Sequence, residues 1–214
     1  MATRQETPTR LVDRQRAKRS EMVKEEVIEA ALIEFAERGY HQTSIAHIAE
    51  RLGSGHSMFY RYFTNKRDIL EHVVRHTGDR VAAALSTAMP ESLDNLEEFE
   101  EFAVKLGTAF IAIITEDPRI SRLMLMQSIA IDREMTEQFI GGFKFGVAAL
   151  SAFIRGGIDK GYIRAEIDVP SVAESIVAIP FGLMLRHGHK PDREVLEAHV
   201  RATADFVCRG IAAT

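Results

Sequence analysis

The chain has 214 residues, 46% of them hydrophobic and 27% charged, with 14 Gly and 6 Pro, a globular balance that excludes a disordered or collagenous chain. Its single cysteine, Cys208, excludes an intrachain disulfide framework and a cysteine-cluster metal site. The net charge of -4 is unevenly spread: residues 1–80 carry 14 basic against 12 acidic side chains and the rest 13 against 19, while the first 24 residues hold seven against three. An acidic protein can therefore present a basic N-terminal face to a polyanion, although the same segment would also serve as a solubilising tail.

The length allows one or two domains. The opening MATRQETPTRLVDRQRAKRS has no apolar core of a secretory signal. Apolar stretches such as SIVAIPFGLML fall short of the roughly 20 residues that span a bilayer. The expectation is a cytoplasmic protein without a membrane partner.

Residues 1–18 read as a flexible basic arm. Helical spacing then starts with Val23, Val27, Ile28, Ala31, Leu32 and Phe35, and Gly39 should stop that helix. A second, short helix over 43–52 places Ile45, Ile48, Ala49 and Leu52 on one face. Ser44 is its natural N-cap, and Gly53 ends it. A third over about 56–63 turns Phe59 and Phe63 inward. Asn65 with Asp68 is a variant capping box for a fourth, carrying Ile69, Leu70, Val73 and Val74. Helices this short need a shared core.

Beyond Pro90, residues 94–114 carry a broad apolar face that includes Phe102 and Phe110. Asp117-Pro118 is a good helix start. A long, glycine-interrupted helix is expected over 136–160. Ser171 and Glu174 read as a capping box for a helix to His187, with Pro180 kinking it and Gly188 ending it. A last helix runs over 192–208. No credible strand appears, so the class is all-α.

The strongest local signal is SIAHIAERLG followed by SGHSMFYRYF: two short helices around a glycine turn, a geometry that fits a major groove. With Phe59 and Phe63 inward, Gly55, His56, Ser57, Tyr60 and Arg61 face outward, and Lys66 and Arg67 could reach a phosphate. An ordinary helical hairpin or a protein-binding use of the same motif would read alike.

The run GYHQTSIAHIAERLGSGHSMFYRYFTNKRDIL resembles the N-terminal DNA-binding domain of the TetR family of transcriptional regulators, over about residues 20–75. The resemblance lies in Phe35-Ala36-x-x-Gly39, Thr43-Ser44-Ile45, Ile48-Ala49, Gly53, Phe59-Tyr60-x-x-Phe63 and Asn65-Lys66. It implies a three-helix helix-turn-helix domain over 19–80 and a helical effector-binding and dimerisation domain over 81–214. It also implies a homodimer on a palindromic double-stranded operator, usually a repressor, released by a small molecule in the second domain. By position, His56, Ser57 and Tyr60 fall where bases or adjacent backbone are touched, and Ser44, Met58, Tyr60 and Lys66 where phosphates are. Three positions depart from the family pattern: Ser54 stands where an apolar residue is usual, Gly55 where a polar one is, and Met58 where Thr is frequent. The basic residues Arg10, Arg14, Arg16, Lys18 and Arg19 could add phosphate or minor-groove contacts.

In the second domain Phe102, Phe110, Met124, Phe143, Phe181 and Met184 suit an adaptable apolar cavity or plain core packing. Gln127, Asp132 and Lys144 are the polar candidates. An apolar or amphipathic effector is expected. Ile176, Ile179 and Leu183, with Leu196, Val200, Thr203 and Val207, are the candidate dimer core. No motif of an enzyme or resident cofactor is present: there is no phosphate-cradling glycine loop, nucleophile elbow or HExxH. The pairs His72/His76 and His187/His189 lack a marked third ligand for a metal. Cys208 has no adjacent base.

Overall fold

The computed structural model describes residues 8–128, 132–187 and 192–213. Nine helices and no strand occur among them, and an isolated antiparallel bridge joins Ile163 to Ala212. The chain forms two compact units, Met1–His76 and Thr77–Thr214.

In the first unit, α1 spans Pro8–Arg38. It therefore begins inside the stretch expected to be a flexible arm, and residues 8–18 are its first turns. Pro8 is tolerated at the first helical position, and the following Arg, Gln, Ala and Lys residues are good helix formers. Val27, Ala31, Leu32 and Phe35 are buried, and Gly39, at φ 79°, ends the helix in a backbone region that favours glycine. Helix α2 (Ile45–Arg51) starts on the expected Ser44 cap. Helix α3 (His56–Tyr60) is only five residues long. Phe63 lies beyond its end, yet is 1% exposed and packs beside Phe59, which is fully buried. Asn65 caps the next helix, its Oδ1 accepting from the Arg67 and Asp68 amides, while Asp68 accepts from the Thr64 amide. That helix, α4 (Lys66–Ser86), contributes Ile69, Leu70 and Val73 to the first core.

The second unit holds α5 (Leu96–Glu116), α6 (Pro118–Ser128), α7 (Arg133–Asp159), α8 (Val169–His187) and α9 (Arg193–Ile211). Helix α5 lies against α9, and α7 against α8. Helix α8 begins earlier than expected: Asp168, not Ser171, is the cap, accepting from the Ser171 amide. Pro170 in its first turn suits that start, and the helix continues through Pro180. Two apolar clusters fill this unit. One gathers Phe99, Phe102, Ile154, Ala173 and Cys208. The other gathers Phe110, Ile111, Ile114, Leu183, Met184, Leu196 and Val200.

Several residues expected in the dimer core lie in these two clusters. Leu196 is fully buried, and Leu183 and Val200 nearly so, within one subunit. Ile179 packs against the same cluster, Ile176 and Val207 against the first, and Thr203 is half-buried. The physical reason is the approach of α9 to α5 at Gly107: a Cβ there would lie 2.7 Å from Val200 Cγ1. The apolar stripe on α9 is covered by its own chain. Among the described residues of α7, α8 and α9, the large apolar side chains left exposed are Val195 and Phe206 on α9, Leu185 on α8, and Ile140 and Phe145 on α7.

At the α5–α6 junction Asp117 is 6% exposed. Its carboxylate accepts from Arg119 Nε (2.7 Å) and Nη2 (2.8 Å), the Arg119 amide and Arg80 Nη1 (3.2 Å). Burial by itself would raise this carboxyl, but the Arg119 and Arg80 contacts outweigh it and hold it below the ordinary range. Cys208 is buried, which pushes its thiol up to about 11, so it stays protonated and unreactive.

Candidate nucleic-acid interface

The reading face is built on α2 and α3. Ser44 Oγ accepts from the His47 amide and His47 Nδ1 accepts from the Ser44 amide, both at 3.2 Å, so the His47 ring takes the part usually played by Glu in a capping box. This uses an acceptor lone pair of Ser44 and leaves its hydroxyl proton able to donate. Gly53 turns the chain at φ 61°. With Phe59 and Phe63 inward, Gly55, His56, Ser57, Tyr60 and Arg61 are all exposed; Tyr60, at 57%, is the largest of them. A small glycine entry, two polar side chains and a phenol therefore stand on one side of a short helix held by two buried rings. Such a surface can approach base edges closely and hydrogen-bond to them.

What holds this face is a set of contacts that spacing did not reveal. Glu34 on α1, 3% exposed, accepts from Arg51 Nε at 2.6 Å and Arg38 Nε at 2.7 Å, and Arg51 also reaches Glu37 at 2.5 Å. Burial would raise the Glu34 carboxyl, yet the two arginines pull it below its ordinary value. Thr43 Oγ1 donates to the Glu34 and Gly39 carbonyls. Together these pin α2 to the end of α1.

Lys66, expected at a phosphate, has its ammonium group engaged within the fold. Its Nζ donates to the carbonyls of Tyr40 and Thr43, each at 2.8 Å, and His41 at 3.3 Å, and lies 4.4 Å from the Tyr40 ring centre. Partial burial lowers its pKa. Lys66→Met is expected to lower stability by about 1.5–3 kcal/mol, the range for losing bonds from a charged donor, read as a lower melting temperature. A lysine serving only DNA would leave melting unchanged. Arg67 pairs with Glu71 at 2.8 Å.

The departures at the turn also have structural correlates. Ser54 Oγ is buried without a hydrogen-bond partner among the described residues. Ser54→Ala should therefore raise stability by about 1 kcal/mol, a gain visible in denaturant unfolding. Gly55 caps α3 with extended backbone and no side-chain acceptor. Met58 is half-buried.

The expected effector residues fall into two groups. Phe102 belongs to the first apolar cluster of the second unit, against Phe99 and Phe153. Phe110, Met124, Phe181 and Met184 share the second cluster, and Phe143 and Phe139 lie against Phe181 with ring centres 6.0 and 5.3 Å away. The side chain of Gln127 lies outside the described residues, as does His189. Asp132 is engaged as the cap of α7, accepting from the Met135 amide at 2.9 Å.

Residues 27–73, which span the C-terminal part of α1, all of α2 and α3 and the start of α4, match the model for bacterial regulatory proteins of the tetR family. The chain is 27% identical over 149 residues to the fatty acid metabolism regulator protein of Bacillus subtilis, covering 67% of this chain and 72% of that one. It is 28% identical over 131 residues to the HTH-type transcriptional regulator BetI of Yersinia pestis, covering 54% of this chain and 66% of that one. The fold is shared with the fatty acid degradation regulator FadR of Bacillus halodurans, at TM-score 0.70 and 20% identity over 90% of this chain and 97% of that one. With the helix-turn-helix face and its buried supports in place, residues 27–73 form a DNA-binding domain of the tetR family, and the chain is similar to transcriptional regulators that carry it.

Proposed function

We propose that the protein acts as a homodimeric repressor on a palindromic double-stranded operator and leaves it when an apolar or amphipathic small molecule binds the second unit. The observation that carries the dimer is the amount of apolar helix surface one subunit leaves uncovered. Helices α7 and α8 each carry an 18-residue apolar stretch of which only 11% and 17% is buried. Phe206 and Phe145 are each 78% exposed and Leu185 65%. A second copy is the partner that symmetry offers for such a face, and a two-fold dimer carries two reading helices to two half-sites.

The effector reading is supported by the rings of Phe139, Phe143 and Phe181 gathered beside Met124 and Met184. Relatives named for fatty acid metabolism and a structurally similar efflux-pump repressor, SmeT, solved with triclosan agree with an apolar ligand class.

The test has two parts. Light scattering should give twice the 24.0 kDa chain mass, and Phe206→Glu with Leu185→Glu should give the single mass. The dimer on a selected operator should then be released by a long-chain acyl compound or a comparable apolar probe. A wild-type monomer, or a complex indifferent to every apolar probe, would contradict the proposal.

A further inference from the structure

The exposed basic residues at the start of α1 are not scattered. Arg16, Arg19 and Ser20 line one side of an open groove of about 930 Å³, and Ser57 and Met58 of α3, with Arg61 and Tyr62 just past it, line the other. Ser20 Oγ donates to the Tyr62 hydroxyl at 3.5 Å, joining the two walls. Asp13 also lines the groove, so three arginines stand against one carboxylate. Arg16, Arg19 and Arg61 are exposed, and the groove runs from the helical extension to the same turn that presents Tyr60. Because the extension is helical from Pro8, these charges are held on a fixed track and not on a loose tail.

We propose that this groove is a second DNA-contacting site, in which Arg16 and Arg19 of α1, with Arg61, take the sugar–phosphate backbone beside the half-site read by α3. The proposal rests on the DNA-binding role derived above. Charge selects the occupant: guanidinium groups bind phosphate oxygens through paired N–H donors, and the lining offers a strand of regularly spaced anions a net positive wall. Such contacts fix position and affinity without reading sequence, which separates their role from that of His56 and Tyr60.

The test is the salt dependence of binding to a random-sequence duplex of about 30 base pairs between about 50 and 200 mM salt, since each lost phosphate contact lowers the log–log slope by about 0.9. Arg16→Ala with Arg19→Ala should reduce the slope by about 1.8 per bound protomer, with an unchanged operator-to-random affinity ratio and unchanged melting. Arg16→Lys with Arg19→Lys, which keeps both charges, should retain the slope. A wild-type slope in the alanine variant, or a lost slope in the lysine variant, overturns the proposal. If the unaltered protein bound no duplex at all, the DNA-binding role would fail with it, whereas an unchanged slope on a protein that does bind sinks only the groove.

Discussion

Replacing His56, Ser57 and Tyr60 together by alanine is expected to lower operator affinity by about 10²- to 10⁶-fold, because each lost base contact is worth roughly 1–3 kcal/mol. The three side chains are exposed on α3, so the loss should come with little loss of fold. Tyr60 alone has a measurable packing role, its ring standing edge-on to Phe59 at 5.4 Å. That contact is worth about 0.5–1.5 kcal/mol, so a fall of a few degrees in melting temperature is expected, and Tyr60→Phe should restore it. Affinity is checked by fluorescence anisotropy and melting by circular dichroism. Phe59→Ala shows the contrast: the ring is fully buried, and its removal should cost about 3–5 kcal/mol, losing DNA binding through loss of structure.

Asp117→Ala should cause the largest destabilisation of any single change in the second unit outside its apolar clusters. The substitution removes the cap of α6 and strands Arg119 and Arg80, which meet the carboxylate at 2.7–3.2 Å. Taking away the buried member of such a pair costs about 3–4 kcal/mol here, at the lower end for buried ion pairs because both arginines keep partial access to water. At about 2–4 °C per kcal/mol, the melting temperature should fall by about 6–16 °C. The effect depends on pH. Asp117 and Glu34 are both held below their ordinary values of 3.8 and 4.5, so their stabilisation is complete above those values and is lost as pH falls through the lowered ones. Asp117→Asn should accordingly be less stable near neutral pH and show a flatter acid limb in a pH series of melting curves.

Most of the reading head is legible from spacing. Ser44 before an apolar repeat announces α2, Gly39 and Gly53 mark the turns, and Phe59 with Phe63 defines which side of α3 faces out. These are local signals, set by caps and by residues one turn apart. The helical start at Pro8 is not legible this way, because Val12 through Arg19 are exposed all round and give periodicity nothing to register. The partners of Lys66 are not legible either: they are carbonyls 23 to 26 residues earlier, and no sequence spacing encodes them. On α9 the stripe of Leu196 and Val200 correctly signals a covered face, but a stripe does not say whose helix covers it. Gly107 on α5, where a side chain would strike Val200, is the clue that the cover comes from the same chain.

The outward side of α3, held by Phe59, Phe63 and the Glu34 network, is proposed to read a DNA sequence. Selection from a pool of randomised duplexes, followed by measurement of the affinity ratio between the enriched and a scrambled duplex at one stated salt concentration, tests it most directly. An enriched inverted repeat bound at least about 10³-fold more tightly than its scrambled counterpart is the expected result. Enrichment of no sequence, with equal affinity for every duplex, would contradict it.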